Sequence, residues 1–318
     1  MEMALYAVKG ALRFWQGSLL TGSHVGIYQN LRRQLDKLFR HVNQGSIETR
    51  YRYFEATDRF CQFVAERFRL QKLENVQGKH LVAYLQYMQE KGLSASTMKT
   101  DLSAIRFFHD QTNSRYPLPD NQDIGKLHGT ALERRHFGQV ARAWSDSEYQ
   151  KALALTEVQG KPQIGQLMEF ARVLGLRLHE TTRLTAPMLR KALDEGYLTI
   201  KGKGGLVRSV PLTGTSRSVI RKTLQEYGRQ KQTRLFVGPS EKAHQVNKQV
   251  ENWIYTHRDR FTEGDVKLTF HGLRHAYAQE RYAYHLERHG GDEKAARLEV
   301  SRELGHGRDE VTRIYLAK

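Results

Sequence analysis

The sequence predicts a mainly α protein of two domains, the second carrying one small β-hairpin. Three observations lead there. Apolar residues recur at helical spacing through most of the chain. One pair of strand-like runs, Tyr197–Lys201 and Leu206–Leu212, flanks the tight turn Gly202-Lys203-Gly204-Gly205. The 318 residues exceed what one small core holds, and Pro117 and Pro119 mark a break.

In chain order, residues 1–45 form an N-terminal extension. It is irregular at first, then helical near Ile27–Val42 with Leu31, Leu35, Leu38 and Phe39 on one face, and Gly45 and Ser46 end the helix. Residues 46–116 make a compact helical domain. Its first helix, near Glu48–Phe68, carries the stripe Tyr53, Phe60, Phe63, Val64 and Phe68. The next, near Gly78–Lys91, turns Leu81, Leu85 and Met88 inward and stops at Gly92. Ser94 to Thr97 opens a third, which runs to about Asp110 with Leu102, Ile105 and Phe108 inward. Residues 117–143 read as a linker with a short helix, exposing Arg134, Arg135, His136 and Arg142. The second domain, 144–318, begins at a capping box of Ser145 and Glu148. An apolar helix ending at Leu174, the hairpin, and helices near Ser216–Arg229, Val246–Phe261, His271–Arg288 and Asp292–Leu304 follow, with a short terminal helix.

Charge narrows the partner. The formal net charge is +17, divided almost evenly: +8 over residues 1–143, from 21 Lys and Arg against 13 Asp and Glu, and +9 over the rest, from 30 against 21. Both parts are suited to a polyanion. No apolar run approaches the roughly 20 residues of a spanning helix, so a membrane role is not expected. The first 22 residues, with Glu2, Lys9 and Arg13, make a poor secretory signal. Cys61, the single cysteine, sits among apolar residues as a packed thiol, which fits a reducing compartment.

The chemistry-bearing residues are Arg177 in Gly-Leu-Arg-Leu-His-Glu, Lys203 at the hairpin tip, His271 and Arg274 in His-Gly-Leu-Arg-His, His306 in Leu-Gly-His-Gly, and Tyr315 nine residues later. This set suits phosphodiester cleavage by a tyrosine. A phenol of pKa near 10 needs help losing its proton and cations around the phenolate. His271 and Arg274, three apart, share a helix face whose N-terminus favours an anion, with Thr269 as a possible cap. On one continuous helix, His306 and Tyr315 would point to opposite faces, but Gly305 and Gly307 break it, so the two can converge. Arg177 and Arg274 each present a fork that grips two phosphate oxygens, which Lys cannot do. Arg183 competes locally with Arg177, and Lys201 and Arg208 with Lys203 as proton donor to a leaving oxygen. Glu180 is expected to support the fold or orient an arginine. His271 and His275, four apart, could bind zinc, yet no nearby carboxylate or cysteine completes a set. His285 and His289 repeat the spacing and are expected at the surface.

In this order the six residues resemble the tyrosine recombinases, the phage integrase family. The resemblance covers residues 145–316 firmly. Residues 47–113 resemble the family's core-binding domain more loosely, through Gly92-Leu-Ser-Ala-Ser-Thr97 and Ser103-Ala-Ile-Arg-Phe-Phe108. It implies the tyrosine recombinase fold, with a helical core-binding domain at 46–116 and a catalytic domain at 144–318 on opposite faces of double-stranded DNA. It implies a site-specific recombinase of cytoplasmic, prokaryotic or mobile-element origin. Tyr315 would be the nucleophile of a 3′-phosphotyrosyl link, Arg177, Arg274 and His306 the phosphate clamp, Lys203 the general acid and His271 the proton-transfer assistant. It also implies strand exchange by a homotetramer with neither metal nor ATP nor other cofactor. Two other readings share these residues, DNA relaxation of the type IB topoisomerase kind and an architectural DNA-binding protein without chemistry. The interval from Arg274 to His306 is longer than the family's usual one. Only three residues follow Tyr315, where members of the family commonly carry a docking segment; either this chain assembles differently or that contact comes from elsewhere, with residues 1–45 a candidate.

Overall fold

A computed structural model describes residues 23–42, 47–128, 141–202, 205–228, 233–305 and 309–316. Packing divides the chain into two units, residues 1–135 and 136–318.

The first unit is helical: α1 (Ser23–His41), α2 (Ile47–Phe68), α3 (Gly78–Glu90), α4 (Ala95–His109) and α5 (Asn121–His128). The apolar spacing explains the packing. Leu31 and Leu35 of α1 are fully buried against the α2 stripe, where Phe60, Phe63 and Val64 are buried too. Phe68, expected inward, is 38% exposed because it ends α2, and its ring rests edge-on to His80 at 4.7 Å. Gly92 takes a left-handed φ of 66° after α3, and the Ser94 hydroxyl accepts from the Thr97 N–H at 3.2 Å to start α4. Buried carboxylates bind the helices laterally: Asp58 pairs with Arg32 at 2.9 Å, and Asp101 with Arg59 at 2.8 Å. Cys61 lies in this core, and burial pushes its thiol pKa up. The stretch expected as linker is held at its start, since Arg106 donates to the Pro119 carbonyl at 2.8 Å and Ile124 of α5 is buried. Arg134, Arg135 and His136 lie outside the described residues; Arg142 is exposed.

The second unit opens at α6 (Asp146–Val158) with the reciprocal cap. The Glu148 N–H donates to the Ser145 hydroxyl at 3.1 Å, and the Ser145 N–H donates to the Glu148 carboxylate at 2.8 Å. Helices α7 (Pro162–Leu174), α8 (Leu178–Thr181) and α9 (Ala186–Glu195) lead to strands β1 (Tyr197–Lys201) and β2 (Val207–Pro211). The strands pair antiparallel, Tyr197 opposite Pro211 and Lys201 opposite Val207. Period-two alternation buries Leu198, Ile200, Arg208 and Val210. Lys203 at the tip lies outside the described residues. Helix α10 (Gly214–Tyr227) follows, then α11 (Ala243–His257), α12 (Phe270–Arg288), α13 (Glu293–Leu304) and α14 (Asp309–Tyr315). The helix expected to reach Phe261 stops at His257 and tightens to a 3₁₀ turn at Arg258–Arg260. There Phe261 turns inward to stack between Trp253 and Trp144. Thr269 makes no side-chain cap; its carbonyl instead accepts from the Trp144 indole at 2.8 Å.

One surface expectation is overturned. His285 is 5% exposed, because α13 packs along α12 and brings Glu303 to 2.9 Å from its Nε2. Arg281 and Tyr277 bond the same carboxylate, so the group is charge-compensated. His289 is exposed. No helix among the described residues is long and apolar enough to cross a membrane.

Gly175, which ends α7, has φ +59°, and a Cβ there would stand 2.4 Å from the Tyr277 ring. Backbone strain and overpacking act together at this position. Gly175→Ala is expected to cost about 2–5 kcal/mol of stability, measured by chemical denaturation. A cost under about 1 kcal/mol would contradict this packing.

Candidate active site

Arg177 is placed by the end of α7. Gly175 turns the chain, Leu176 is buried, and Arg177 becomes the residue before α8. Glu180 then performs three tasks. Its carboxylate accepts the Arg177 main-chain N–H at 2.8 Å and the Arg177 Nη1 at 3.1 Å. It also takes both terminal nitrogens of Arg208, from the inward face of β2, at 2.8 and 2.7 Å. Burial opposes ionisation of Glu180. The Arg208 hydrogen bonds and charge outweigh it, helped by the Arg177 N–H and the Arg274 charge, and hold the carboxyl at about 2. The arginines are thus fixed by a permanent anion beneath them.

The C-terminus of α13 supplies the second fixture. Gly305, with φ +67°, ends the helix, and a Cβ there would stand 2.7 Å from the Arg208 side chain. The last carbonyls meet guanidinium groups: Glu303 oxygen accepts from Arg208 Nε at 2.9 Å, and Leu304 oxygen from Arg274 Nη2 at 2.6 Å. Arg274 also donates to the Gly175 carbonyl and is fully buried. Burial, ahead of the like charges of Arg177 and Arg208, lowers its pKa to about 10, which leaves it cationic at neutral pH; Tyr315 acts in the opposite sense.

The terminal helix brings Tyr315 onto α12. Its hydroxyl lies 3.0 Å from His271 Nε2, and the Arg274 guanidinium carbon lies 5.6 Å from its ring centroid. His275 stacks on the same ring at 4.4 Å. His271 is exposed, whereas His275 and Tyr315 are buried. Desolvation lowers both imidazoles to about 4. Arg274, Arg177 and Arg142 add to it at His271; His271, Arg142 and Arg274 add to it at His275.

The buried His275 ring therefore takes up a proton near 6.5 in the unfolded chain but near 4 in the folded one. The unfolded state binds more protons between those values, so stability falls as pH drops through this window. The melting temperature is expected to decline from about pH 6.5 to about pH 4, and to decline less in His275→Phe. A flat profile in the unaltered chain would contradict these surroundings.

Arg177, His271, Arg274 and Tyr315 thus meet in one place, although up to 138 residues apart in sequence. Lys203 and His306 lie outside the described residues. Arg208, a sequence competitor of Lys203, is 7% exposed and held by Glu180 and the Glu303 carbonyl, so it serves as a structural clamp. Lys201 and Arg183 are exposed. Sequence reasoning missed the clamp and the stacked His275. The first was readable from strand alternation, which puts Arg208 on the face of Val210. The second follows from a spacing of four after His271.

Residues 145–318, over half of the chain, match the phage integrase family, and residues 31–116 match the N-terminal SAM-like domain of phage integrases. The chain is 26% identical over 259 residues to tyrosine recombinase XerD of Caulobacter vibrioides, an alignment covering 76% of this chain and 77% of that one. Its fold is similar to that of lambda integrase residues 75–356, solved as a dimer bound to a COC' core site. That likeness has a TM-score of 0.61 and 17% identity, and covers 90% of this chain and 95% of the other. It is also similar to a lambda integrase tetramer bound to a Holliday junction, with a TM-score of 0.59 and 15% identity over 98% of this chain and 85% of the other. With two domains matched in sequence order and a tyrosine set among arginines and histidines, the chain belongs to the phage integrase family and is a tyrosine recombinase, an enzyme of site-specific recombination.

Proposed function

We propose that this chain breaks and rejoins double-stranded DNA through Tyr315, acting as a homotetramer at specific recombination sites without metal or ATP. The carrying observation is the 3.0 Å contact of the Tyr315 hydroxyl with His271 beside the buried Arg274. The phenol oxygen attacks phosphorus, and its bond to phosphorus forms as the bond from phosphorus to the 5′ oxygen breaks. The phenol proton passes towards His271, and the departing 5′ oxygen takes a proton from Lys203. The product is a 3′-phosphotyrosyl link and a free 5′-hydroxyl; religation is the reverse. Because one phosphoester replaces another, the step needs no external energy source.

The free site carries more positive charge than its carboxylates balance. Arg177, Arg208 and Arg274 surround one anion, Glu180, while desolvation, with Arg274, Arg177 and Arg142, keeps His271 neutral. An arriving phosphate offsets that charge. It raises the basicity of His271 as it becomes needed, and it gives Arg177 and Arg274 the anion their forks fit. In the transition state both donors face growing charge from positions already fixed by Glu180, Gly175 and Leu304. His306 joins the clamp in this reading. Basic charge in both domains, +8 and +9 by sequence, supplies the attraction to duplex DNA.

The test is adduct mapping on nicked duplexes made from DNA flanking the gene. Nucleotide is expected on the tryptic peptide Ile314–Lys318, joined through a 3′ phosphate. An adduct on another peptide, or joined through a 5′ phosphate, would sink the reading.

A further inference from the structure

We infer that His275 is a positioning residue for the nucleophile: it holds the Tyr315 ring flat and its main chain in place, so that the phenol oxygen already stands at His271 when DNA arrives. This rests on the reading of Tyr315 as nucleophile. Four residues on one face of α12 touch Tyr315, each at a different point. His271 meets the hydroxyl at 3.0 Å, and Arg274 lies 5.6 Å from the ring centroid. His275 covers the ring face at 4.4 Å with 25° between planes, and its ring also hydrogen-bonds the Tyr315 main chain. Gln279 donates to the Tyr315 carbonyl at 3.4 Å.

These contacts control different motions. His271 meets the tyrosine ring at 64°, edge to face, a contact that does little to set the tilt of that ring. A stacked plane does set it, because rotation about χ1 would drive the Tyr315 ring into the imidazole. The constraint matters here because α14 has seven residues, too few to define its own orientation without tertiary contacts. His275 is 2% exposed, so it acts on the tyrosine from behind and does not need to touch DNA. Burial also keeps it neutral, so the stack adds no further positive charge beside Arg274.

Positioning has a kinetic consequence that general damage lacks. It stabilises the attacking arrangement of the free tyrosine. Once Tyr315 is esterified, the phosphate itself fixes it. Losing the stack should therefore slow attachment and leave religation unchanged, with the covalent fraction at equilibrium falling by the factor lost in attachment.

The experiment is single-turnover attachment on a nicked duplex whose short cleaved end diffuses away, so that even a slow variant accumulates adduct. Excess 5′-hydroxyl strand is then added and religation is timed. His275→Ala is expected to attach about 10²-fold more slowly, with DNA affinity and religation rate each within about two-fold of the unaltered chain. His275→Phe, which keeps a flat ring, is expected to recover most of the attachment rate. If His275→Ala does not fold, His275→Leu takes its place against His275→Phe, being apolar without a plane. Equal slowing of attachment and religation, or attachment unaffected by loss of the ring, would overturn the positioning role. Tyr315→Phe runs in parallel; if it forms adduct, the assignment of the nucleophile falls instead, whatever His275 does.

Discussion

Tyr315→Phe is expected to bind duplex DNA as the unaltered chain does and to form no covalent adduct. The substitution removes one oxygen and keeps the ring that packs against His275 and beneath Arg274. The lost contact to His271 costs on the order of 1 kcal/mol, too little to unfold the domain. Duplex affinity comes mainly from phosphate neutralisation spread over a chain of net charge +17, which this change leaves intact. Chemistry is different in kind, because in the proposed reaction the attacking oxygen is the one this substitution removes. Removing an enzyme's nucleophile typically costs on the order of 10⁴–10⁶-fold in rate, which puts adduct below detection in a single-turnover assay. Band shifts and denaturing gels on the same nicked duplex separate binding from attachment. Adduct formed by this variant at a measurable rate would place the nucleophile elsewhere.

Arg274→Ala is expected to damage fold and chemistry together. The guanidinium is fully buried and bonds the carbonyls of Gly175 and Leu304, so it ties the end of α7 to the end of α13. Its removal takes away two charge-assisted bonds and opens a cavity among Tyr315, Gly175 and Leu304. Breaking a buried charged contact of this kind costs about 3–5 kcal/mol, a large part of a domain's total stability. In the fraction that remains folded, loss of one fixed donor at the phosphate should slow attachment by about 10²–10³-fold. Arg274→Lys restores the charge but not the fork. It should recover more of the stability than of the rate, since a single ammonium cannot hold two carbonyls and grip phosphate with the same geometry. Denaturation midpoints and single-turnover attachment rates, compared across both variants, check this. An alanine variant that folds normally and attaches within about ten-fold would remove Arg274 from the clamp.

The two variants also show what was legible in one dimension. Period and punctuation place the elements: Gly92 and Gly175 end helices, Ser145 and Glu148 begin one, and Gly202 with Gly205 bracket the hairpin turn. They also place His271 and Arg274 on one helical face, because a spacing of three is enforced by the α-helix itself. The order of arginines, histidines and tyrosine then marks the chemistry. All of these are short-range facts about the chain, or facts about order, and neither needs a neighbour in space.

What each buried charge does belongs to the tertiary structure. Glu180 is three residues from Arg177, but its bonds to Arg208 exist only because β2 returns beside α8. His285 was expected at the surface and is enclosed by Glu303, which lies on the following helix. His275 resembles any helical histidine until α14 lays Tyr315 across it. The residue sequence by itself determined the family, the succession of helices and a set of candidate residues, of which Arg177, His271, Arg274 and Tyr315 come together in the fold. Only folding decided which of them are clamps, which are supports and which are floors, because a polar group's burial is stable only with partners, and here those partners come from 18 to 99 residues away.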